Sequence, residues 1–363
     1  MAGILDLETF AHFFDTVHWM RSDGCVLLID CWLSAAQNKF TQYIEKYSQL
    51  AIGEMMFTRI RPAICKRLSR LISQRLPIPT LWHMELTSFE ECKKFLAAQS
   101  TRFAARRALE LELQEQLSHS DVSMLPGYCW VCRGVRAFLY DHKYSNGSDV
   151  NWRERLVCPQ CQLNNRLRLT AKILDHSVGT GNPRIYMTEQ VTALAKHVSR
   201  LYASTIKSEY LGPDHSPGAI NSRGIRHEDI TALSFSDAAF DFVLSFDVLE
   251  HVPAYKVALK EFARVLKPGG KVLMTVPFIL LHESNVVRAI FDGEKGEIHH
   301  LLPPELHGDP IDPSAGVLCY YHFGWELLND FYSNGFSNVA LHIYWSLEFG
   351  HIGHEQIVIE ATK

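Results

Sequence analysis

The sequence predicts an α/β fold for its second half, preceded by a helical region and a small cysteine-rich module, and three observations carry this. Over residues 184–278, short apolar runs alternate with amphipathic stretches, the pattern of parallel strands joined by crossover helices. Residues 5–117 instead place apolar side chains three and four apart, as in Ile52, Met56, Ile60 and Ile64, with few strand-like alternations. Between them, residues 121–165 hold four cysteines among turn-forming Pro126-Gly127 and Asn146-Gly147-Ser148. The expected organisation is a helical N-terminal cap region over 1–120, a four-cysteine zinc-binding module over 121–169 and the α/β domain over 170–363.

At 363 residues and 47% hydrophobic composition, the chain can bury two or three ordinary cores. A formal charge of −4 supplies no general attraction to nucleic acid or to acidic membranes, so a polyanionic partner is disfavoured. Acids follow Met1 where a signal peptide would carry lysine or arginine. The most apolar early stretch, residues 25–33, is interrupted by Asp30 and is far shorter than the ~20 residues of a membrane span. Nine cysteines, four of them in paired spacing, suit reduced thiols and a metal site better than a disulfide framework. A cytoplasmic protein with no membrane segment is expected; the oligomeric state is not legible.

Within the helical region, Pro77 and Pro79 mark breaks. Thr87 and Ser88, followed by Glu90 and Glu91, read as a helix N-cap with acids in the first turn. The polar run 110–116 reads as a solvated helix face.

Cys129-Trp-Val-Cys132 and Cys158-Pro-Gln-Cys161 are two knuckles separated by 25 residues, a spacing that lets four thiolates close a tetrahedron around one Zn²⁺. With every position filled by cysteine, no site remains for water or substrate, so the metal is expected to be structural. Its binding energy would stand in for a hydrophobic core, and stripping it should unfold residues 121–165. Four free thiols, or a redox pair, are the alternatives.

In the α/β half, strands are expected over 184–189, 206–211, 225–230, 240–246 and 271–278, with helices up to Leu201 and over 254–266. A helix over 325–333 then precedes an antiparallel pair, 338–345 and 356–362. The run 240–246 is almost wholly apolar, as burial on both faces of a parallel sheet requires. Ala258, Phe262 and Val265 share one helix face, and Lys267-Pro-Gly-Gly ends that helix and turns the chain into the next strand.

The stretch Phe240-Asp-Phe-Val-Leu-Ser-Phe-Asp-Val-Leu-Glu-His-Val-Pro253, with Arg264-Val-Leu-Lys-Pro-Gly-Gly270 after it, resembles the class I S-adenosylmethionine (SAM) methyltransferases, in the type 11-like subgroup of small-molecule enzymes. The resemblance covers residues 183–363. It implies a Rossmann-like, seven-stranded, mostly parallel sheet, SAM as cofactor, and a crevice beyond the strand carboxyl ends. Ser245, Phe246, Asp247 and His251 would then stand at the mouth. By the same resemblance Glu209 takes the ribose hydroxyls, with Tyr210 beside the adenine. Asp229 takes the adenine amino group and the backbone of Ile230 the ring. Without the resemblance, Glu209 is a solvated strand-end acid and Asp229 a turn cap.

The sequence departs from the family in one place. No glycine lies in 185–192, where a glycine-rich loop should let the backbone approach the methionine moiety. Gly179-Thr-Gly181 lies 28 residues before Glu209, whereas Glu189 lies 20 before it, the better length for one strand-helix step. Thr188, Glu189 and Gln190 are therefore assigned to the cofactor side, with side chains replacing backbone contacts.

Residues 279–324 form an insertion holding His282, His299, His300, His307, Asp309 and His322, expected to cover the acceptor pocket. His251 and His307 are candidate proton acceptors, with Asp247 as a third catalytic candidate; a second metal site among these histidines has no recognisable spacing. The leading expectation is a SAM-dependent methyltransferase acting on a small molecule, in secondary metabolism. One alternative keeps SAM but cyclises or fragments its aminobutyrate chain. Another makes the zinc module, with Arg153, Arg155, Arg166 and Arg168, an adaptor for RNA, or leaves a fold that binds without catalysis.

Overall fold

The computed structural model describes residues 82–145, 147, 149–312, 314 and 316–363. Most of the expected cap region, residues 1–81, lies outside the described residues. The first described element corrects the all-helical expectation: Trp82–Leu86 is a strand, β1. Its Met84 and Leu86 turn to the core while Glu85 faces out, the two-residue alternation of a half-buried strand. Two helices follow, α1 (Phe89–Ala98) and α2 (Ser100–Glu115). The expected cap of α1 is present: Ser88 Oγ accepts from the Glu91 backbone at 3.3 Å while Glu91 accepts from the Thr87 N–H at 2.8 Å.

The polar run in α2 is only partly solvated. Glu110 is buried, accepts the Gly353 backbone N–H at 2.9 Å, and has its pKa pushed up to about 7 by burial.

The hairpin β2 (Ser123–Cys129) and β3 (Gly134–Tyr140) leads to a turn holding the second cysteine pair, then α3 (Asn165–Val178). The central run is β4 (Ile185–Met187), α4 (Ala193–Leu201), β5 (Thr205–Lys207), β6 (Phe240–Phe246), α5 (Tyr255–Val265) and β7 (Leu266–Thr275). The insertion contains six short strands, β8 (Val286–Val287), β9 (Ala289–Asp292), β10 (Glu297–His300), β11 (Leu306–His307), β12 (Val317–Leu318) and β13 (Tyr321–His322). Helix α6 (Glu326–Ser333) and strands β14 (Asn338–Ser346) and β15 (His351–Thr362) close the chain.

One sheet of seven strands runs β1-β14-β15-β7-β6-β4-β5. Strands β5, β4, β6 and β7 are parallel, and the expected antiparallel pair β14/β15 extends them. The seventh strand is not the expected one. Residues 225–230 reach the sheet only through a single parallel bridge, Glu209 to His227. Their polar side chains bond locally instead, Glu228 with Arg226 and Ser234. Strand β1, antiparallel to β14, supplies the seventh strand at the opposite edge.

Helices cover both faces. Leu169, Ile173, Leu194 and Val198 pack with Ile185, Met187 and Leu244 on one side; Leu259, Phe262, Leu328 and Phe331 pack with Tyr186, Val243 and Met274 on the other. Alternate residues of β4 and β6 thus enter different cores, which is why these strands are apolar throughout. The Lys-Pro-Gly-Gly segment differs from expectation: the helix ends at Val265 and the segment lies inside β7, where the pairing with β6 shifts register. There Gly269 has φ +76° and Gly270 has no room for a Cβ, which would meet the Lys267 carbonyl at 2.9 Å.

Candidate active site

A cleft of about 2320 Å³ opens beyond the carboxyl ends of β4, β5, β6 and β7, where ligands bind in sheets of this kind. Its lining includes Thr188, Glu189, Glu209, Tyr210, Asp229, Ile230, Phe246 and Asp247 from the strand ends and their loops, the insertion residues Glu305, His307, Asp309 and His322, and His251. Helix α2 adds a wall through Phe103, Arg106 and Glu110.

Glu209 sits where β5 runs out. Its Oε1 accepts the backbone N–H groups of Gln190 at 2.6 Å and Val191 at 3.0 Å. The loop after β4 is therefore held by a carboxylate, without glycines. Oε2 makes no hydrogen bond among the described residues. Burial raises the pKa of Glu209, and the two N–H groups oppose that rise. Asp229 caps its own turn, accepting from the Thr231 N–H and hydroxyl through Oδ1 at 2.8 and 2.7 Å. Tyr210 is exposed, its ring 5.5 Å from that of His227.

Two residues expected on the cofactor side face elsewhere. Gln190 braces the neighbouring loop, donating to the Gly224 carbonyl at 2.8 Å and accepting from Arg226 N–H at 3.0 Å. Ser245 is 1% exposed and takes a hydrogen bond from the Thr188 hydroxyl at 3.2 Å, tying β6 to β4 inside the sheet. Neither lines the cleft. Glu189 does, and its Oε1 is buried without a partner among the described residues. Burial pushes its pKa up to about 8, although Arg166 nearby pulls the other way.

Asp247 follows β6 in the left-handed region at φ +52°, a strained conformation for a non-glycine residue. Its carboxylate takes Arg153 at 2.7 and 3.0 Å, Arg166 at 3.2 Å and the Thr275 hydroxyl at 2.8 Å. Despite the cost of burial, those two guanidinium groups hold its pKa well below the usual range. A carboxylate so fully paired is unsuited to take up a proton. The pairing argues against its expected catalytic role and makes it the anchor of a bridge to the cysteine segment.

The same bridge removes the support for an RNA adaptor. Arg153 and Arg166 also bind Glu154, Arg155 pairs with Asp141 at 2.6 Å, and Arg168 is 1% exposed, donating to the carbonyls of Phe349 and Gly350. All four arginines are engaged by groups of the fold, although Arg153 stays 37% exposed.

The Cys129, Cys132, Cys158 and Cys161 sulfurs lie within 4.8 Å of one another. Cys129 and Cys161 are 3.9 Å apart, Cys132 and Cys158 3.7 Å. A tetrahedron with Zn–S bonds of ~2.3 Å has edges of about 3.8 Å, whereas a disulfide is near 2 Å. The donor set therefore fits a tetrahedral thiophilic ion and not a pair of disulfides. The segment is also bound to the sheet: the Tyr128 N–H meets the Glu348 carbonyl at 2.7 Å, and Asn165 meets that of Ile352 at 3.0 Å.

On the acceptor side, His282, His299 and His300 are exposed and lie outside the cleft. His251, His307 and His322 converge instead with Glu250, Glu305 and Cys319. His307 has its pKa pushed up to about 11, chiefly by the Cys319 sulfur, then by Glu250 and Glu305. An imidazole protonated at neutral pH is a poor base, which argues against that part of its expected role. Sequence reasoning missed Glu250, although the Glu-His pair of the motif contained it.

Residues 174–274 match the family described as Methyltransferase domain. Demethylmenaquinone methyltransferase of Staphylococcus aureus (strain MRSA252) is 32% identical over 122 residues, covering 34% of this chain and 47% of that protein. The chain thus spans about half the length of the curated relatives it matches. Among solved structures, 1,6-didemethyltoxoflavin-N1-methyltransferase of Burkholderia thailandensis is 19% identical at a TM-score of 0.31, covering 55% of this chain and 78% of its own. A SAM-dependent methyltransferase of Mesorhizobium loti is 14% identical at a TM-score of 0.33, covering 55% and 98%. No helix among the described residues is long and apolar enough to cross a membrane. The motif, the sheet order and the family match converge on the same stretch: the chain carries a methyltransferase domain of the class I, SAM-dependent family.

Proposed function

We propose that the protein transfers the methyl group of SAM to a small molecule held between the strand ends and the insertion. The observation that carries this is the presence of Glu209, just beyond the end of β5, and Asp229, two residues after the bridge at His227, in the lining of one cleft. In this reading Glu209 accepts from the ribose hydroxyls while its other oxygen holds the loop. Asp229 takes the adenine amino group, Ile230 and Tyr210 flank the ring, and Thr188, Glu189 and Phe246 meet the methionine end. The insertion supplies the acceptor side with His251 and His307. The chemistry needs little beyond orientation and exclusion of water. A secondary-metabolite acceptor is compatible with the mixed polar and apolar lining of this cleft.

Incubation with SAM and candidate acceptors tests the reading. The expected product is S-adenosylhomocysteine, formed only when an acceptor is present. Methylthioadenosine formed from SAM alone would replace this reading with fragmentation of the aminobutyrate chain.

The four cysteines are proposed to hold a structural Zn²⁺. That ion would fix the segment from which Arg153 and Arg166 reach Asp247 and so set the strand end under the cofactor.

Glu189 yields a pH-dependent prediction. Its raised pKa leaves it mostly protonated at pH 7, a state that favours the folded, ligand-free protein below the ordinary carboxylate pKa and is lost as pH rises through about 8. The sulfonium and ammonium groups of SAM favour the ionised form. Binding at pH 7 is therefore expected to release up to one proton, and affinity to rise as pH approaches 8. Calorimetry in buffers of different ionisation enthalpy measures this. A buffer-independent heat, or release that persists in Glu189→Gln, would reject the assignment.

A further inference from the structure

We propose that Glu250, His251 and His307 form a divalent-metal site, separate from the four cysteines and open to the cleft. Glu250 is fully buried, yet neither of its carboxylate oxygens has a hydrogen-bond partner among the described residues, an arrangement that costs free energy unless something absent here satisfies it. His307 Nδ1 lies 3.6 Å and His251 Nε2 3.7 Å from Glu250 Oε1. Those distances are too long for hydrogen bonds.

The outer nitrogens explain the arrangement. His251 Nδ1 is 2.8 Å from the Leu318 carbonyl, and His307 Nε2 is 3.0 Å from Glu305 Oε1. Both partners only accept, so each histidine must use its proton there. Without a metal a proton on His307 can answer the carboxylate; a metal must displace it, and in the neutral rings that coordination requires, the remaining nitrogens turn lone pairs toward Glu250. Three electron-pair donors then face one another with no hydrogen between them. A cation resolves this arrangement. Metal-bound histidines commonly donate their other N–H to a carboxylate or a backbone carbonyl, as both do here.

The spacing selects the ion. Tetrahedral bonds of ~2.0–2.1 Å to nitrogen and oxygen imply ligand separations of about 3.4 Å, close to the two distances. Two imidazoles and one carboxylate suit Zn²⁺ or a similar borderline ion, and three protein ligands leave a position vacant. The neighbouring Glu305 cluster fits less well: Oε1 already takes N–H groups from His307 and His322 at 3.0 Å each, and Oε2 pairs with Arg288 at 3.1 Å. His251 and His307 line the cleft, so a vacant position on the ion would be within reach of a hydroxyl or carboxylate oxygen bound there. That this oxygen belongs to the methyl acceptor rests on the proposed function; the metal itself does not.

Cobalt uptake by the full chain under reducing conditions separates the two sites without SAM or acceptor. The wild type is expected to take up two equivalents, one of them giving the intense thiolate charge-transfer band of a four-cysteine site. Glu250→Gln and His307→Ala should each take up one equivalent and keep that band, which also reports that the fold survives. Glu305→Gln should weaken the second equivalent by about 10–100-fold. A wild-type stoichiometry of one, or a second equivalent retained by both Glu250→Gln and His307→Ala, would overturn the proposal. Since no cofactor is present, failure of the methyl-transfer reading would leave this result unchanged.

Discussion

Glu209→Gln is expected to weaken SAM and S-adenosylhomocysteine binding by 100-fold or more, measured by calorimetry on the metal-loaded protein. Two interactions fail together. The ribose loses a charged acceptor, and the Gln190 and Val191 N–H groups, now 2.6 and 3.0 Å from Oε1, lose the carboxylate that holds them. Hydrogen bonds to a charged group contribute about 1.5–3 kcal/mol each. Losing the equivalent of two corresponds to roughly 3 kcal/mol or more, hence a hundredfold at least. No glycine lies in this loop, and one side chain shapes it instead. Asp229→Asn should cost far less, since Oδ1 already caps its turn. Unchanged affinity in a folded Glu209→Gln variant would refute the cofactor assignment.

Cys158→Ser is expected to abolish ordered structure in the segment around β2 and β3 and to lower SAM affinity from a distance. Structural zinc in small peptides contributes ~10–16 kcal/mol, comparable to the whole stability of a typical domain, about 5–15 kcal/mol. Removing one of four thiolates need forfeit only part of that to release the hairpin. Arg153 and Arg166 would then leave Asp247, stranding a buried carboxylate at the end of β6. Zinc content, amide exchange across residues 121–178 and SAM affinity should fall together. Full protection of the hairpin in zinc-free protein would show that its Tyr128–Glu348 bond, with the bonds of Arg168 to Phe349 and Gly350, suffices, and that the metal is dispensable.

The chemistry of the candidate site was unevenly legible. Glu209, Asp229 and His307, which line the cleft, lay within reach of sequence reasoning because a motif or a strand-helix period gives their distance from a recognisable element. Ser245 and Gln190 lie off the cleft and Asp247 is held by two arginines for one reason: strand-end position says which residues are near a cleft, but not which neighbours already occupy their polar atoms. Arg153 and Arg166 lie 94 and 81 positions before Asp247, and nothing local announces that they meet.

The sequence by itself determined the parallel α/β core, the Ser88 cap and the four-cysteine spacing. Each of these is a local property, set by period, capping or ligand reach within a few dozen residues. Only the tertiary structure decided that Trp82–Leu86 completes the sheet, that the four arginines pair with groups of the fold, and that Glu250 faces two histidines. Those outcomes depend on desolvation and pairing between distant segments, whose sign changes with burial, and burial is known only once the whole chain has packed.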